Sequence, residues 1–284
     1  MRAEKVSGID SFRAAVASAM AEGKRVIGTY HAEFIDKDGN RVWEDVAENV
    51  VTQAGIDLML DSFITGSGFT QTGPYMGLIS SVGWTNLATT ISSLASYSPT
   101  TGIAAINTAA AHGLLPGDSV TIASAAGTGT DYAAVNGTFT CQASTAASVL
   151  YIFVGYGLTI STLTGGNVTT TSGTRIGDTM ASHANWTEAG STNAPTYTYG
   201  GSGVRGTPTW SAASGGTKQT SAAVSFAITS NGSVEGCFLA LGSGAVNTFM
   251  STAGTLFSAG AFAGGAQAVS GGGTLNVSYS LSIL

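Results

Sequence analysis

The C-terminal stretch TLNVSYSLSIL, residues 274–284, decides the fold class of this chain. Apolar side chains occupy every second position of most of this stretch, and small polar residues stand between them. The alternating apolar residues are Leu275, Val277, Tyr279, Leu281 and Ile283. A period of two is typical of a strand with one buried face, because successive side chains of a strand point to opposite sides. The stretch therefore predicts a C-terminal strand that is built into a sheet.

Two further stretches predict antiparallel hairpins. Residues 25–51 alternate on both sides of the turn-forming run DKDGN, and residues 223–241 contain the two-residue turn signal Asn231-Gly232. The chain has 40 glycines, about twice the usual share, and they follow no three-residue period, so collagen is excluded. Many short strands joined by tight turns are predicted. We therefore expect a mainly β protein whose outer domain is an antiparallel β-sandwich of jelly-roll-like type.

One or two short helices accompany these strands. Residues 52–68 read TQAGIDLMLDSFITGSG and predict a helix that begins after Thr52, a good N-cap, and ends near Gly66. Its predicted apolar stripe consists of Ile56, Met59, Leu60 and Phe63. The spacing of three to four residues is that of one helix face. This helix belongs to the predicted outer domain.

A second helix is predicted over residues 9–22, within an N-terminal arm that we assign to residues 1–24. Four apolar residues of this segment stand three or four positions apart and share one side of a helix. They are Ile9, Phe12, Val16 and Met20. A terminal helix of this kind packs either on its own domain or on a neighbouring molecule. The sequence leaves both alternatives open.

The middle of the chain has a different composition. Between Phe63 and Thr174 the only charged residues are Asp118 and Asp131, and Ala, Thr, Ser and Gly dominate. Short alternating runs such as DSVTIA and GTFTCQA are bounded by glycine or polar turns and predict several short strands. We therefore expect residues 95–173 to form a small β-barrel or β-sandwich. This domain interrupts the outer domain, which is assigned to residues 25–94 and 174–284.

Composition and charge exclude several classes of protein. The chain is 43% hydrophobic with a formal net charge of -6, which predicts a folded protein. Nucleic-acid binding is not expected, because neutralising phosphates requires clustered Lys and Arg. No apolar run reaches the roughly 18 residues of a membrane helix, and the N-terminus has no signal-peptide core, so neither membrane contact nor ordinary secretion is expected. Cys141 and Cys237 fit no C-x-x-C pattern and are expected to be buried free thiols.

The histidines suggest catalytic roles that the surrounding sequence does not support. His112 and Asp118 lie in AAAHGLLPGDSVTI, residues 109–122, on either side of a Pro-Gly turn. They are interpreted as turn residues, because no partner groups for catalysis stand near them in sequence. Asp178 and Ser182 could serve His183 as triad partners. A triad also needs an oxyanion hole and a substrate cleft, and the sequence identifies neither. A loop held together by side-chain hydrogen bonds is the favoured interpretation.

Three other motifs are also better explained without a ligand. Asp36 begins a run that imitates a calcium loop, but Arg41 stands where that loop needs glycine and Ala47 where it needs glutamate. GSGVRG, residues 201–206, matches the dinucleotide fingerprint, but the residues after it have strand rather than helix composition. A glycoside hydrolase needs two carboxylates in one cleft, and the sequence does not identify such a pair. We therefore expect no cofactor, no metal and no enzyme activity.

The outer segments contain six phrases in order: VWEDVAENVV, VTQAGIDLMLDSFITGS and PYMGLI, then DTMASHANWTE, VRGTPTW and ITSNGSVEGCFLA. Through these phrases about 200 residues of the chain resemble a family of tailed-bacteriophage virion structural proteins of the head-decoration or cement type. The middle stretch, from AAAHGLLPGDSVTIASA to GGNVTTT, is similar to a small β-module of many phage structural proteins. The interruption by this module and the N-terminal arm both depart from the family pattern.

The resemblance implies a non-enzymatic virion protein that is made in the host cytoplasm and decorates or cements the capsid exterior. Its implied partners are the major capsid protein and further copies of itself, as a homotrimer. The residues expected to contact the capsid are Ile9, Phe12, Val16, Met20 and Trp43. The alternative is a tail or tail-fibre component whose inserted module contacts a host-surface glycan. Its candidate stacking residues are Tyr132, Tyr151, Phe153 and Tyr156.

Overall fold

A computed structural model describes residues 26–64, 72–146, 148–170, 173–183 and 185–283. The predicted arm, with Ile9, Phe12, Val16 and Met20, lies outside the described residues. The described part is mainly antiparallel β structure with one α-helix, which confirms the predicted fold class. Its residues form two compact units. We call them the outer unit (described residues to 82, with 179–183 and 187–283) and the inserted unit (83–178 and 185–186).

The strands are numbered in chain order, and the helix α1 (Gln53–Ile64) lies between β2 and β3. The strands are β1 (Val26–Ile35), β2 (Arg41–Val51), β3 (Tyr75–Ser80), β4 (Ala88–Ser98), β5 (Ile103–Thr108), β6 (Ser119–Ala123), β7 (Ala126–Thr128), β8 (Gly137–Ala146), β9 (Val149–Phe153), β10 (Thr162–Thr164), β11 (Asn167–Thr170), β12 (Thr187–Glu188), β13 (Tyr197–Thr198), β14 (Thr217–Gln219), β15 (Val224–Ile228), β16 (Gly232–Leu241), β17 (Thr255–Ala261), β18 (Gln267–Val269) and β19 (Thr274–Ile283).

The outer unit is built on an 11-stranded antiparallel sheet with the strand order β12-β3-β16-β17-β2-β1-β19-β15-β13. The strands β14 and β18 pair with β19 and β16 beside this path. The C-terminal strand β19 lies inside the sheet, where it pairs with β1 from Val26↔Ile283 to Ile35↔Thr274. Its other edge pairs with β15 and β14. The predicted C-terminal strand is therefore confirmed.

The core of the outer unit follows from the register of β1 and β19. Tyr30 stands opposite Tyr279 and Phe34 opposite Leu275, so the apolar faces of the two strands coincide. One hydrophobic cluster combines these residues with others from β3, β15, β16 and β17. Across it, the Tyr30 hydroxyl lies 2.8 Å from the Ser258 hydroxyl in a hydrogen bond. Each large apolar side chain buried here stabilises the unit by about 1.5–3 kcal/mol.

The predicted hairpin over residues 25–51 is confirmed by the pairing of β1 with β2. The predicted hairpin over residues 223–241 is wrong. β15 pairs with β19 and β13, whereas β16 pairs with β3, β17 and β18. The Asn231 side chain accepts a hydrogen bond from the N–H of Gly271, so this residue ties two loops together. The strands diverge because β16 is buried over most of its length and needs a neighbour on each edge.

The helix α1 forms as predicted, with one change among the described side chains of the stripe; the Phe63 side chain and the predicted end near Gly66 lie outside the described residues. The Thr52 hydroxyl accepts a hydrogen bond from the N–H of Gly55 at 3.0 Å, as an N-cap does. Ile56, Leu58 and Met59 pack against the core of the outer unit. Leu60, predicted in the stripe, is 37% exposed. The helix is turned in this way because Gly55 lies against the backbone of Phe257, where an added Cβ would meet the Phe257 carbonyl oxygen at 2.4 Å.

The inserted unit contains a closed antiparallel barrel with the strand order β11-β4-β5-β9-β8-β6. This decides between the predicted barrel and sandwich in favour of the barrel. A small sheet of β7 and β10 and a short 3₁₀-helix, Tyr132–Val135, accompany it. The boundary predicted at residue 95 would fall inside the barrel strand β4. The compact unit starts at residue 83, because the whole of β4 belongs to the closed barrel.

We expect Gly236→Ala to destabilise the outer unit. A Cβ at Gly236 would lie 1.9 Å from the carbonyl oxygen of Gly260 on the neighbouring strand β17. Backbone in a sheet moves at a cost, and overpacking of this kind costs about 1–3 kcal/mol or more. Urea unfolding of both proteins checks the free-energy change. In the matched control Gly203→Ala the new Cβ stands 3.6 Å from the nearest ring carbon, that of Phe249, and little change is expected. Equal stability of the two variants would contradict the prediction.

Candidate functional site

A buried ion pair is the strongest electrostatic feature of the outer unit. Arg205 Nε donates to Glu188 Oε1, and Arg205 Nη2 donates to Glu188 Oε2, both at 2.7 Å. Arg205 is fully buried and Glu188 nearly so. A planar guanidinium matches a carboxylate in this two-bond geometry. The pair therefore replaces much of the hydration that both charges lost on burial.

Backbone groups complete the surroundings of this pair. Arg205 Nη1 and Nη2 also donate to the carbonyl oxygens of Val246 and Ser251, at 3.2 Å and 2.9 Å. Glu188 Oε2 accepts a further bond from the N–H of Met250 at 2.8 Å. The guanidinium carbon lies 5.2 Å from the centre of the Phe238 ring. The pair thus ties the loop between β16 and β17 to the sheet, which is a structural role.

GSGVRG, the sequence that matches the dinucleotide fingerprint, is the loop that delivers Arg205 to this pair. No helix follows it in the described residues, where Val204 and Trp210 form isolated bridges. Sequence reasoning missed the pairing of Arg205 with Glu188. A signal was present, because Arg205 and Lys218 are the only basic residues after Arg175. An isolated arginine in a charge-poor segment points to a buried carboxylate partner, but the sequence does not say which one.

A second group of buried charges lies within the inserted unit, and it includes both residues of the HGLLPGD turn. Asp118 Oδ2 accepts from the N–H of Leu115 at 2.8 Å, and Oδ1 accepts from the N–H of Ile176 at 2.9 Å. Burial raises the pKa of Asp118. Arg175 Nη1 donates to the His112 carbonyl oxygen at 3.0 Å. These bonds connect the turn to the segment that leaves the barrel.

Asp178 is engaged in the same network. Its Oδ2 accepts from the N–H of Arg175 at 3.0 Å and from the indole N–H of Trp186 at 3.1 Å. Its Oδ1 lies 3.6 Å from Arg175 Nε. Through these bonds the Asp178 carboxylate holds the loop at residues 175–178. Ser182 donates its backbone N–H to Thr179 Oγ1, as in a local turn.

His112 is buried in the neutral form. Its Nδ1 accepts a hydrogen bond from the N–H of Leu114 at 3.1 Å, which requires an unprotonated Nδ1. Burial, followed by the positive charge of Arg175, lowers the pKa of His112. The residue therefore resists protonation within the folded inserted unit. Its geometry is that of a turn-stabilising acceptor.

The calcium-like run at Asp36 forms an Asx-type turn, as expected. Asp36 Oδ1 accepts from the N–H groups of Asp38 and Asn40 at 2.9 Å and 2.8 Å. The bonds from Asn40 are the main cause that lowers the pKa of Asp36. Cys141 and Cys237 are buried and form no disulfide, as predicted. Among the described residues, no group of three or more metal-ligating side chains is present, and no helix is long and apolar enough to span a membrane.

Trp43, a predicted capsid-contact residue, packs largely inward from the β1–β2 hairpin. Its ring lies 6.1 Å from that of Phe34 and 5.7 Å from that of Phe262, measured between centroids. Its indole N–H donates to the carbonyl oxygen of Ala268 at 2.7 Å. The neighbouring Val42 is 57% exposed. An outward contact of this hairpin is thus available to Val42 more than to Trp43.

The barrel also exposes aromatic side chains. Phe153 is 41% and Tyr156 68% exposed, and their rings lie 5.1 Å apart in an edge-to-face arrangement. Tyr132 packs against the barrel core, and Tyr151 is half-buried. Of the four aromatic residues considered for sugar stacking, Phe153 and Tyr156 therefore offer the accessible surface.

Comparisons with protein-family models, with curated proteins and with solved structures found no match to this chain.

We expect Arg205→Met to lower the free energy of unfolding by about 3–5 kcal/mol, because it leaves the Glu188 carboxylate buried without its partner. Chemical denaturation measures the loss. The matched control is Arg41→Met, since Arg41 pairs with Glu44 in an exposed ion pair and should matter little. The double variant Arg205→Met with Glu188→Gln should recover part of the stability. If Arg205→Met and Arg41→Met lower the free energy of unfolding by the same small amount, the pair of Arg205 and Glu188 does not hold the loop.

We expect the stability of the protein to fall as pH is lowered from 7.5 to 5.5, in part because of His112. The unfolded chain binds a proton at His112 near pH 6.5, whereas the folded pKa is lower. The unfolded state then carries more protons, so acidification favours it in this range. His112→Asn keeps a hydrogen-bond acceptor and should flatten the pH dependence of thermal unfolding. His31→Asn, on the exposed face of β1, is the control, and identical profiles for both variants would contradict the prediction.

Proposed function

We propose that this chain is a non-enzymatic structural component of a tailed-bacteriophage virion, which decorates or cements the capsid exterior through protein–protein contacts. The observation that carries the proposal is the ordered set of phrases by which both outer segments resemble that family. Its proposed partners are the major capsid protein and further copies of this chain as a homotrimer. A monomeric mass by light scattering would contradict the trimer.

The use of the buried charges supports a scaffold role. Glu188 and Arg205 are saturated by each other and by backbone groups. Asp118 and Asp178 accept backbone hydrogen bonds that hold loops. Groups that act in catalysis are normally left able to reach a substrate. Here the hydrogen-bonding capacity of these side chains is spent on the fold.

The β1–β2 hairpin is the proposed capsid-facing surface among the described residues. Eight acidic and two basic residues occur between positions 26 and 61, so this part of the chain carries most of the net negative charge. Val42 lies exposed on the hairpin beside the inward-packed Trp43. Opposite charge on a partner surface would steer association with this hairpin. The contact by the N-terminal arm stays a prediction from the sequence.

We expect Val42→Asp to reduce occupancy on purified capsids of the cognate phage, because it places a charge at an apolar contact. The matched control Val82→Asp changes a similarly exposed valine outside the hairpin. Cryo-EM of decorated particles measures occupancy and position. Regular density over the head with lower occupancy for Val42→Asp supports the proposal. Density confined to the tail would refute capsid decoration, and equal occupancy of both variants would refute the contact by the hairpin.

A tail or tail-fibre protein that contacts host-surface glycan is the second candidate function. The exposed pair Phe153 and Tyr156 favours it, because aromatic faces stack on sugar rings. Tyr156→Ser should then abolish binding of the intact protein to a host-glycan array, whereas Leu60→Ser, which changes an exposed apolar side chain of α1, should not. Absence of any glycan signal for the unaltered protein would remove this candidate.

A further inference from the structure

The inserted unit carries an exposed pair of aromatic rings where strand β9 ends. Phe153 is the last residue of β9, and Tyr156 stands in the loop that follows. The planes of the two rings meet at 69°, so the rings form a corner rather than a flat stack. The ring of Phe153 lies directly on the backbone of Gly102, where an added Cβ would meet a ring carbon at 2.5 Å. We call this pair of rings the aromatic corner.

The backbone that carries the aromatic corner is held by several hydrogen bonds. The Tyr97 hydroxyl donates to the carbonyl oxygen of Gly155 at 2.8 Å and accepts from the N–H of Leu158 at 3.0 Å. Two backbone bonds of 2.9 Å join the same loop to the turn between β4 and β5, from Val154 N–H to Gly102 and from Gly157 N–H to Pro99. A ligand therefore meets rings on a loop that is already ordered, and binding costs little further loop entropy.

Polar groups stand beside the aromatic corner. Thr100 and Thr101 are exposed in the β4–β5 turn to which the loop is bonded. Asp131 is joined to Thr159 by two hydrogen bonds, since its N–H donates to the Thr159 carbonyl oxygen at 3.1 Å and its Oδ2 accepts from the Thr159 N–H at 2.8 Å. Asp131 Oδ1 has no hydrogen-bond partner among the described residues. Thr159 follows Tyr156 by three residues, which cover at most about 11 Å.

The charges of the inserted unit decide which ligands fit this place. The sequence of the unit contains only four charged residues, Asp118, Asp131, Arg175 and Asp178. The one cation among them, Arg175, donates to the His112 carbonyl oxygen and lies 3.6 Å from Asp178 Oδ1. An anionic ligand at the aromatic corner would thus find no available cation in this unit, and Asp131 would repel it. A neutral ligand with an apolar face and hydroxyl donors is complementary to the rings and to the carboxylate.

We propose that the aromatic corner and Asp131 form a binding site for a neutral sugar. A pyranose ring has a C–H face that packs on an aromatic ring and hydroxyl groups at its edge, which a few placed polar groups can orient. One sugar ring stacks on Tyr156 or Phe153, and a hydroxyl of the same or the next sugar ring donates to Asp131 Oδ1. The proposal rests on the second candidate function, glycan contact by the inserted unit. It gives that contact a ligand class, which is neutral rather than sialylated, sulfated or phosphorylated.

Saturation-transfer difference NMR with the full-length protein tests the ligand class. The probes are the neutral sugars maltose, lactose and diacetylchitobiose, and sialyllactose is the acidic counterpart of lactose. We expect transfer to the ring C–H protons of at least one neutral sugar. We expect none to sialyllactose, because its carboxylate meets Asp131 and no cation. Titration of the sugar that binds then gives its Kd.

Substitutions test the place of binding. Tyr156→Ser should raise the Kd by about tenfold or more, because it removes a stacking face. Tyr156→Phe keeps the ring and should keep the affinity. Asp131→Asn should raise the Kd several-fold, because an amide NH₂ replaces an accepting oxygen. Asp38→Asn changes an exposed carboxylate of the outer unit and is the matched control. Tyr156 is 68% exposed, so its variants should fold, and thermal unfolding checks this.

Four results would overturn the proposal. Absence of transfer to every neutral sugar would remove it together with the second candidate function. Tighter binding of sialyllactose than of lactose would keep glycan contact and refute the neutral class. An unchanged Kd in Tyr156→Ser would place the sugar elsewhere. A lower oligomeric mass of Tyr156→Ser without loss of sugar affinity would identify the aromatic corner as a contact between copies. None of these results decides whether the protein decorates capsids, which cryo-EM tests separately.

Discussion

The pairing of β1 with β19 is the constraint on which the rest of the outer unit depends. It joins strands from the two ends of the described chain, so the whole middle of the sequence must leave and return between them. Gly28 makes the register specific, because a Cβ there would lie 2.2 Å from both Asn49 Oδ1 and Tyr279 Oη. Those two side chains are hydrogen-bonded to each other at 3.1 Å. A slip of one residue would turn the apolar face of the shifted strand outward.

The buried charges of the described residues hold loops in place. The Arg205–Glu188 pair holds the loop between β16 and β17, and its two partners are 17 positions apart in the chain. Close-packed apolar side chains in place of the ion pair could give the outer unit the same free energy of unfolding. A bidentate pair, however, accepts one arrangement of its neighbours, because each displaced backbone group leaves a buried donor or acceptor unpaired. In a chain rich in Gly, Ser and Ala, such directional bonds restrict loops that side-chain packing restricts weakly.

The sequence predicted local structure well and long-range pairing poorly. Alternation identified β1, β2 and β19, and the Thr52 cap identified α1, because these signals act over a few residues. The Asn231-Gly232 turn failed as a hairpin signal because β16 is buried over most of its length and takes β3 and β17 as partners. The exchange of Leu60 for Leu58 on the packed face depends on the close approach of Gly55 to β17. The ion pair was missed because nothing local in the sequence specifies a partner for Arg205.

The edges of the sheets limit how this protein can associate. A closed barrel has no free edge, and the long sheet of the outer unit ends in the two-residue strands β12 and β13. The edge of β2 is covered as well, since the Val46 carbonyl accepts from the N–H of Ala263 and Asp45 accepts from Gly264 and Gln267. The exposed apolar side chains of the described residues include Val42 on the hairpin and the aromatic pair Phe153 and Tyr156 of the barrel.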